Sequence, residues 1–300
     1  MKKILSVFAA AAVALTSMFG VSAKADKIEN VVVSLGEDLS SSQKDEMIKK
    51  FGADPESRVV SVSNSEERHY LGNYVSADLI GTRAISCSYV EELDDGSGIQ
   101  VETSNVTWVT PEMIQNALAT GGVKDAKVKV SAPFKVSGTA ALTGVMKAFE
   151  TATGESLSED EKQVANEEIA KTGELGQEIG KDEAAALIKE VKEAVVENHI
   201  EDPQAIRETI ERIAVDMNIT LNEEQFNKII ELMQNISSLN LDVSSIKSQL
   251  GDISKTVSDI SGKVSDAVSN SEEAQGFLEK IIQMLRELID KLTGSSAVTE

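Results

Sequence analysis

Few residues of this chain have the types and spacing that chemistry requires. Ser137-Gly138-Thr139 stands before a small-residue run that begins a helix, so its backbone N–H groups are placed to hold an anion. The lysine and the spacing of a P-loop are missing, and ordinary helix capping explains the same residues. We therefore interpret Ser137, Gly138 and Thr139 as candidate ligand-site residues, with helix capping as the alternative.

The single cysteine and the two histidines do not form a recognisable catalytic or metal site. Cys87 lies in an apolar strand pattern and is interpreted as a small buried residue rather than a nucleophile. His69 and His199 lie in helical patterns, and neither belongs to a Ser-His-Asp or Cys-His arrangement. A loop around Gly96 resembles a calcium loop, but Leu93 stands where a ligand oxygen is needed. We assign no catalytic residue, cofactor or metal ligand from the sequence.

The composition excludes several classes of protein. The 300 residues include 50 Asp and Glu against 29 Lys and Arg, which gives a net charge of −21. Nucleic-acid binding is therefore not expected, because phosphates require a basic face. One cysteine excludes an internal disulfide framework and a Cys-rich zinc site. Aromatic residues make up only 4%, too few for a broad aromatic binding surface.

The first 25 residues have the pattern of a secretory signal peptide. Lys2 and Lys3 precede an apolar run over 4–21, and Ala23 and Ala25 are the small residues of a cleavage site. We expect cleavage after Ala25 and a secreted, extracellular or cell-envelope protein with no stable membrane insertion. An uncleaved membrane anchor is the alternative, because about 18 apolar residues can just span a bilayer.

Residues 26–155 predict an α/β or α+β domain of about five strands with helices. Asp94-Asp95-Gly96-Ser97 favours a hairpin between the third and fourth strands. Trp108 is expected to be at least half buried, and the aromatic residues from Tyr70 to Trp108 are interpreted as core, with an aromatic pocket as the alternative. The strands are predicted over 31–35, 58–62, 83–91, 98–108 and 126–130, and the helices over 39–51, 66–75, 111–121 and 138–153.

Residues 156–235 are interpreted as an acidic, all-helical segment. Helices are predicted over 158–175, 181–199 and 203–217, with a fourth after Thr220. The many acids are interpreted as a solvated helical face, and a surface for a cation or partner is the alternative.

Residues 229–293 keep one heptad frame of apolar residues, and 294–300 form an end predicted to be disordered. A 3.5-residue repeat of this length predicts a long coiled-coil-like helix, or a helical hairpin if it breaks near 267–274. An amphipathic helix docked on its own domain is the alternative. The seam expected to mediate association consists of Ile236, Leu239, Val243, Ile246, Leu250, Ile253, Val257, Ile260 and Val264.

Two segments carry a family resemblance. The run from Val31 to Ser40, followed by Phe51-Gly52, resembles the opening of the DUF1002 family of exported bacterial proteins. The run from Ala132 to Gly144 is similar to the family's other signature. The resemblance covers about residues 26–220, implies an exported protein, and supplies no catalytic residue.

These observations favour a structural or interaction module rather than an enzyme. The heptad tail would bind a second copy of the chain or another exported protein. The alternative is a small-ligand-binding protein or hydrolase that uses Ser137-Gly138-Thr139 and the aromatics between Tyr70 and Trp108. A cleft that joins Ser137, Arg83 and His69 would favour this alternative.

Overall fold

The computed structural model describes residues 30–239 and 241–250. The predicted signal peptide with Ala23 and Ala25 lies outside these residues. So do the seam residues Ile253, Val257, Ile260 and Val264 and the 294–300 end.

The strands form one mixed five-stranded sheet, as predicted. They are β1 (Val31–Gly36), β2 (Arg58–Val62), β3 (Cys87–Glu92), β4 (Gln100–Val106) and β5 (Ala126–Val136), in the order β2-β1-β3-β5-β4. The pairs β1–β2 and β4–β5 are parallel, whereas β3 runs antiparallel to both β1 and β5. Residues of short β-branched runs supply the buried positions, as expected for strands covered by helices.

The predicted hairpin between β3 and β4 is wrong. Strand β5 lies between them and is parallel to β4. The turn at Gly96 instead wraps around the start of β5. The N–H of Leu93 donates to the Asp125 carbonyl (2.6 Å), and the N–H of Gly98 donates to the Asp125 carboxylate (2.8 Å). A local turn signal is thus overridden by contacts with a strand almost thirty residues later.

Five helices accompany the sheet, and their ends follow the capping residues of the sequence. They are α1 (Ser41–Phe51), α2 (Asn64–Leu71), α3 (Ala77–Ile80), α4 (Pro111–Thr120) and α5 (Ala140–Thr153). Ser40 and Ser63 form capping boxes, and Thr110 caps α4 ahead of Pro111. Helix α5 crosses β1 and β3 closely, because Gly144 leaves room for the Ser34 side chain.

Four of the remaining described helices confirm the predicted helical segment, and the fifth lies in the heptad tail. They are α6 (Glu159–Ile179), α7 (Lys181–Glu197), α8 (Pro203–Asp216), α9 (Glu223–Ser238) and α10 (Val243–Leu250). Helix α6 runs past Gly173 and Gly176 and ends at Gly180, whose φ of 100° favours glycine. No described helix is long and apolar enough to cross a bilayer.

One hydrophobic core joins the sheet to these helices. Val90 and Val128 of the sheet belong to the same buried cluster as Leu187 of α7 and Leu232 of α9. Most acids of the segment are exposed or partly exposed, as interpreted, but Glu167 and Glu168 of α6 are buried and depart from that interpretation.

The part of the heptad tail that is described lies on the protein's own core. A continuous helix from Asn222 is not observed, because α9 ends where Leu239 adopts an extended conformation and α10 begins at Val243. Ile236, Ile246 and Leu250 are buried in the shared core, and Leu239 is partly buried against it. The observed arrangement of this part is therefore the docked one.

Candidate functional site

An open cleft of about 450 Å³ lies at the carboxyl ends of the parallel strands β4 and β5. Ligands of sheets with parallel strands commonly bind at this end, beside helix N-termini. We call it the Glu67 cleft. Its lining comes from α2, α3, the segment before β3, and the loop between β5 and α5, and comprises Glu67, Asp78, Leu79, Ile80, Gly81, Thr82, Arg83, Ile85, Ser86, Thr107, Phe134, Val136, Ser137, Gly138, Thr139 and Ala140.

The loop from Ser137 to Thr139 shapes one wall of the cleft. Gly138 has a φ of 95°, and a Cβ atom there would come within 2.9 Å of the Val106 side chain. A residue other than glycine would thus be strained and crowded. The Thr139 hydroxyl lies 3.1 Å from the Ser137 hydroxyl and does not cap α5, so ordinary side-chain capping does not account for these residues. The first turn of α5 reaches the cleft at Ala140 without a side-chain cap.

Glu67 is the buried acid of the cleft. It lies one helical turn before Leu71 on the inward face of α2, and its side chain is completely buried. Asn64 donates to Oε2 (3.2 Å), whereas Oε1 has no hydrogen-bond partner among the described residues. Burial raises the pKa of the Glu67 carboxyl, and the opposing influence of Thr139, Asn64 and the Arg68 charge does not outweigh it.

Two opposite charges line the more exposed part of the cleft. Arg83 is exposed and makes no ion pair or hydrogen bond with any described residue. Asp78 lies exposed in the first turn of α3. Arg68 is already engaged, because its guanidinium donates to the Asn64 side chain (2.9 Å) and to the Gly81 carbonyl.

The aromatic residues are distributed differently from the predicted pocket. Trp108 is only 6% exposed, which confirms the expected burial. Tyr70 donates to Glu159 (3.1 Å) and Tyr89 donates to Glu91 (3.0 Å), both away from the lining of the cleft. The aromatic residue of the cleft is Phe134, whose side chain is 43% exposed.

The structure brings Ser137 and Arg83 into one cleft but places His69 outside it. The His69 ring packs edge-on against Tyr70, with 5.0 Å between ring centroids. His199 follows α7 and does not line the cleft either. The hydroxyls that line the cleft thus have no imidazole beside them.

Two other chemically notable positions have structural roles. Lys192 donates to Glu168 (2.8 Å), to the Thr120 hydroxyl (3.0 Å) and to the Asn116 carbonyl (2.7 Å), and this buried network joins α4, α6 and α7. Cys87 is buried, and its burial raises the thiol pKa to about 11, so it is a poor nucleophile. Across the described ranges, no group of three His, Cys, Asp or Glu side chains is placed to hold a metal ion.

Sequence reasoning missed Glu67 as a cleft residue. A signal was available, because Glu67 and Leu71 are four residues apart and so share a helix face. An acid on the apolar side of a short helix is unusual, and this makes its position a candidate for a functional residue. Which side of the sheet it would reach depended on the topology, which the hairpin prediction had misassigned.

Fold and cleft together define an α/β protein with a helical C-terminal half and a polar cleft at the ends of parallel strands. The family model described as "Protein of unknown function (DUF1002)" matches residues 35–253, and the chain belongs to this family. This confirms the resemblance seen in the sequence.

Among curated proteins, the chain is similar to "Uncharacterized protein YpuA" of Bacillus subtilis (strain 168). The two are 45% identical over 242 residues, which cover 80% of this chain and 83% of that protein. No solved structure matches the chain.

Proposed function

We propose that this is an exported protein that binds a small polar ligand in the Glu67 cleft. The observation that carries the proposal is the Glu67 carboxyl, which is completely buried in the cleft wall and leaves Oε1 without a partner. Burying a polar atom without a hydrogen bond costs about 1–3 kcal/mol. A ligand atom that bonds to Oε1 would remove that cost.

The size and lining of the cleft support a small ligand. Its volume of about 450 Å³ falls in the range of small-molecule sites, and a few polar groups converge on an otherwise mixed lining. The partly exposed Phe134 ring offers an apolar contact beside Arg83 and Ser137. Binding rather than hydrolysis is proposed because no histidine lines the cleft to activate its hydroxyls.

Four probes of different chemistry test the binding function. Sodium phosphate, sodium acetate, N-acetylglucosamine and ethanolamine are titrated at constant ionic strength into the purified protein, and the backbone amide signals of Gly81 and Gly138 are followed by NMR. We expect at least one probe to shift both signals saturably. In Thr82→Trp, an exposed lining position filled by a large ring, the shifts should disappear, whereas the matched Ser41→Trp on α1 should keep them.

The binding function would be refuted by two results. One is the absence of any saturable shift with all four probes. The other is a shift of equal size in Thr82→Trp, which would place the probe elsewhere.

Export is proposed from the sequence of the first 25 residues. Lys2 and Lys3, the apolar run and the small residues Ala23 and Ala25 form a signal peptide pattern. The exported protein should begin at Asp26 when its N-terminus is sequenced, and it should be found in the medium or the cell envelope. A protein that retains Met1 and partitions into the membrane would instead be an anchored one.

Association through the tail is a second proposed function. The seam pattern continues after Leu250 at Ile253, Val257, Ile260 and Val264, whereas the earlier seam residue Ile236 is buried inside its own chain. Only the later residues are therefore proposed to contact a second copy or another exported protein.

Sedimentation distinguishes the two parts of the seam. Ile253→Asp and Ile260→Asp should lower the molecular mass of the assembly and leave the fold intact. Ile236→Asp should unfold the chain, because it places a charge in the core. A monomeric wild type with unchanged Ile253→Asp and Ile260→Asp variants would rule out this function.

A further inference from the structure

We infer that the Glu67 cleft takes an anionic group, a carboxylate or a phosphate, held between the Arg83 guanidinium and the N-terminus of α5, with the Glu67 carboxyl donating a hydrogen bond from Oε1. This inference rests on the proposed binding function and names the chemistry of its ligand. It combines an unpartnered cation, an uncapped helix end and a buried carboxyl that line one cleft.

The first support is the state of Arg83. The chain has 50 acids, yet Arg83 makes no ion pair or hydrogen bond with any described residue. Among the described residues, Arg207 binds two glutamates and Arg212 lies 4.0 Å from Asp216. A guanidinium left without an acid at the edge of a cleft is suited to a planar oxyanion, which it binds with two parallel hydrogen bonds.

The second support is the end of helix α5 in the same cleft. A 14-residue helix presents N–H groups and the positive end of its dipole at Ala140. The Thr139 hydroxyl, which could cap it, interacts with the Ser137 hydroxyl and the Glu67 carboxyl instead. An oxyanion at this position would accept the hydrogen bonds that a capping side chain usually accepts.

The third support is the buried Glu67. Asn64 and Arg68 on its own helix and Thr139 before α5 act on its carboxyl, and Asp78 and Arg83 line the same cleft. An ionised Glu67 would repel an anion, but burial favours its protonated form. A protonated carboxyl donates one hydrogen bond, and Oε1 is its oxygen without a partner; because this atom is buried, the carboxyl has to turn toward the cleft to reach a ligand.

Asp78 opposes the binding of an anion. Its exposed carboxylate lines the same cleft and lowers the positive potential there. The affinity of the wild-type protein for an isolated oxyanion should therefore be moderate, and Asp78→Asn should strengthen it.

Titration with phosphate and with acetate, followed by the Gly81 and Gly138 amide signals, tests the inference and distinguishes the two oxyanions. Arg83→Gln should weaken binding at least tenfold, and the matched exposed variant Arg212→Gln on α8 should leave it unchanged. Asp78→Asn should strengthen it severalfold. Because phosphate itself titrates near neutrality, the pH series uses acetate.

Glu67→Gln separates a hydrogen-bonding role from a structural one. The amide can still donate from the position of Oε1, so binding of acetate should persist. The wild-type protein should lose affinity as the pH rises through the pKa of Glu67, and Glu67→Gln should not show this loss. Glu67→Leu should abolish binding while circular dichroism reports the fold. If Glu67→Leu does not fold, Arg83→Gln still tests the anionic ligand, because the Arg83 side chain is exposed and its replacement should not disturb the fold.

The outcomes separate the inference from the binding function. Saturable shifts with N-acetylglucosamine or ethanolamine, but not with phosphate or acetate, would overturn the anionic ligand and leave a binding cleft. Wild-type affinity in Arg83→Gln would also overturn it. If none of the four probes shifts the Gly81 and Gly138 signals, both the binding function and the anionic ligand are refuted.

Discussion

The indole of Trp108 packs directly on Gly173 of helix α6, where a Cβ atom would overlap the six-membered part of the ring. Trp108 comes from the chain between β4 and α4, so this contact fastens the helical half of the protein to the sheet. It also explains why a glycine stands within a long helix. Glycine lowers the helix propensity, but only a residue without a Cβ atom lets the ring approach this closely.

Removing the indole should destabilise the protein strongly. Trp108→Ala creates a cavity in the shared core and is expected to lower the free energy of unfolding by about 3–5 kcal/mol. Gly173→Ala forces the ring to move and is expected to lower it by about 1–3 kcal/mol. Urea unfolding followed by circular dichroism measures both.

A double-mutant cycle provides the control for this contact. In a Trp108→Leu background, Gly173→Ala should have a smaller effect than in the wild type, because the ring that it would overlap is gone. Equal effects in both backgrounds would mean that Gly173 is needed for another reason.

The buried ion pair between Glu168 and Lys192 gives the second prediction. Both side chains are at most 1% exposed, so Lys192→Met leaves an uncompensated carboxylate and should lower the free energy of unfolding by about 3–5 kcal/mol. Glu168→Leu together with Lys192→Met should recover part of this loss, because both charges are then absent. Lys228→Met, which removes surface ion pairs with Glu174 and Glu224, serves as the control and should have a much smaller effect. A double variant less stable than Lys192→Met would contradict this account.

Glu67 should make stability depend on pH in a defined direction. Its folded-state pKa is raised above the usual 4.5, so the folded protein keeps a proton that the unfolded chain releases. The stabilisation is fully present below about pH 4.5 and is lost as the pH rises through the folded pKa. Relative to wild type, Glu67→Gln should therefore gain stability with rising pH when urea unfolding is compared between about pH 5 and 8. A difference that stays constant over this range would show that the Glu67 pKa is not raised.

Helix α10 should loosen when its polar contact with the sheet is removed. The N–H of Asp125 donates to Gln249 Oε1 (2.7 Å), and the N–H of Ile99 donates to the Gln249 carbonyl (3.0 Å). Gln249→Ala removes the side-chain bond and keeps the carbonyl bond, so it should speed hydrogen exchange at 124–126 and 243–250, measured by mass spectrometry. Gln204→Ala, on the exposed side of α8, is the matched control. Unchanged exchange in Gln249→Ala would mean that Ile246 and Leu250 hold α10 without it.

The sequence predicted the elements better than their arrangement. Ser40, Thr110-Pro111 and Gly180 are local signals, and the helices begin or end beside them as the capping rules require. The strand order was not local information. The residues around Gly96 are those of a hairpin turn. Strand β5 nevertheless lies between β3 and β4 and pairs with both of them, and no local signal predicts this pairing.

The candidate site was predicted in part. The loop at Ser137 to Thr139 was recognised from its residue types, and the structure places it with Arg83 in one cleft. Glu67 was not recognised, because its burial depends on α2 packing against α5 and α6. In the described part of the tail, the heptad pattern indicated positions that are buried, Ile236, Ile246 and Leu250, but a pattern does not say which surface covers them, and here it is the chain itself.

The sharing of one core by the sheet and the late helices has a consequence for synthesis of the protein. While the ribosome is still making α6 to α10, α4 and the Trp108 indole lack the partners that these helices supply, so the nascent chain cannot complete its core. Folding would wait until Leu250 has left the exit tunnel. A chain that stays unfolded for so long exposes apolar surface. An unfolded chain is also the form that the export proposed above would move through a membrane channel.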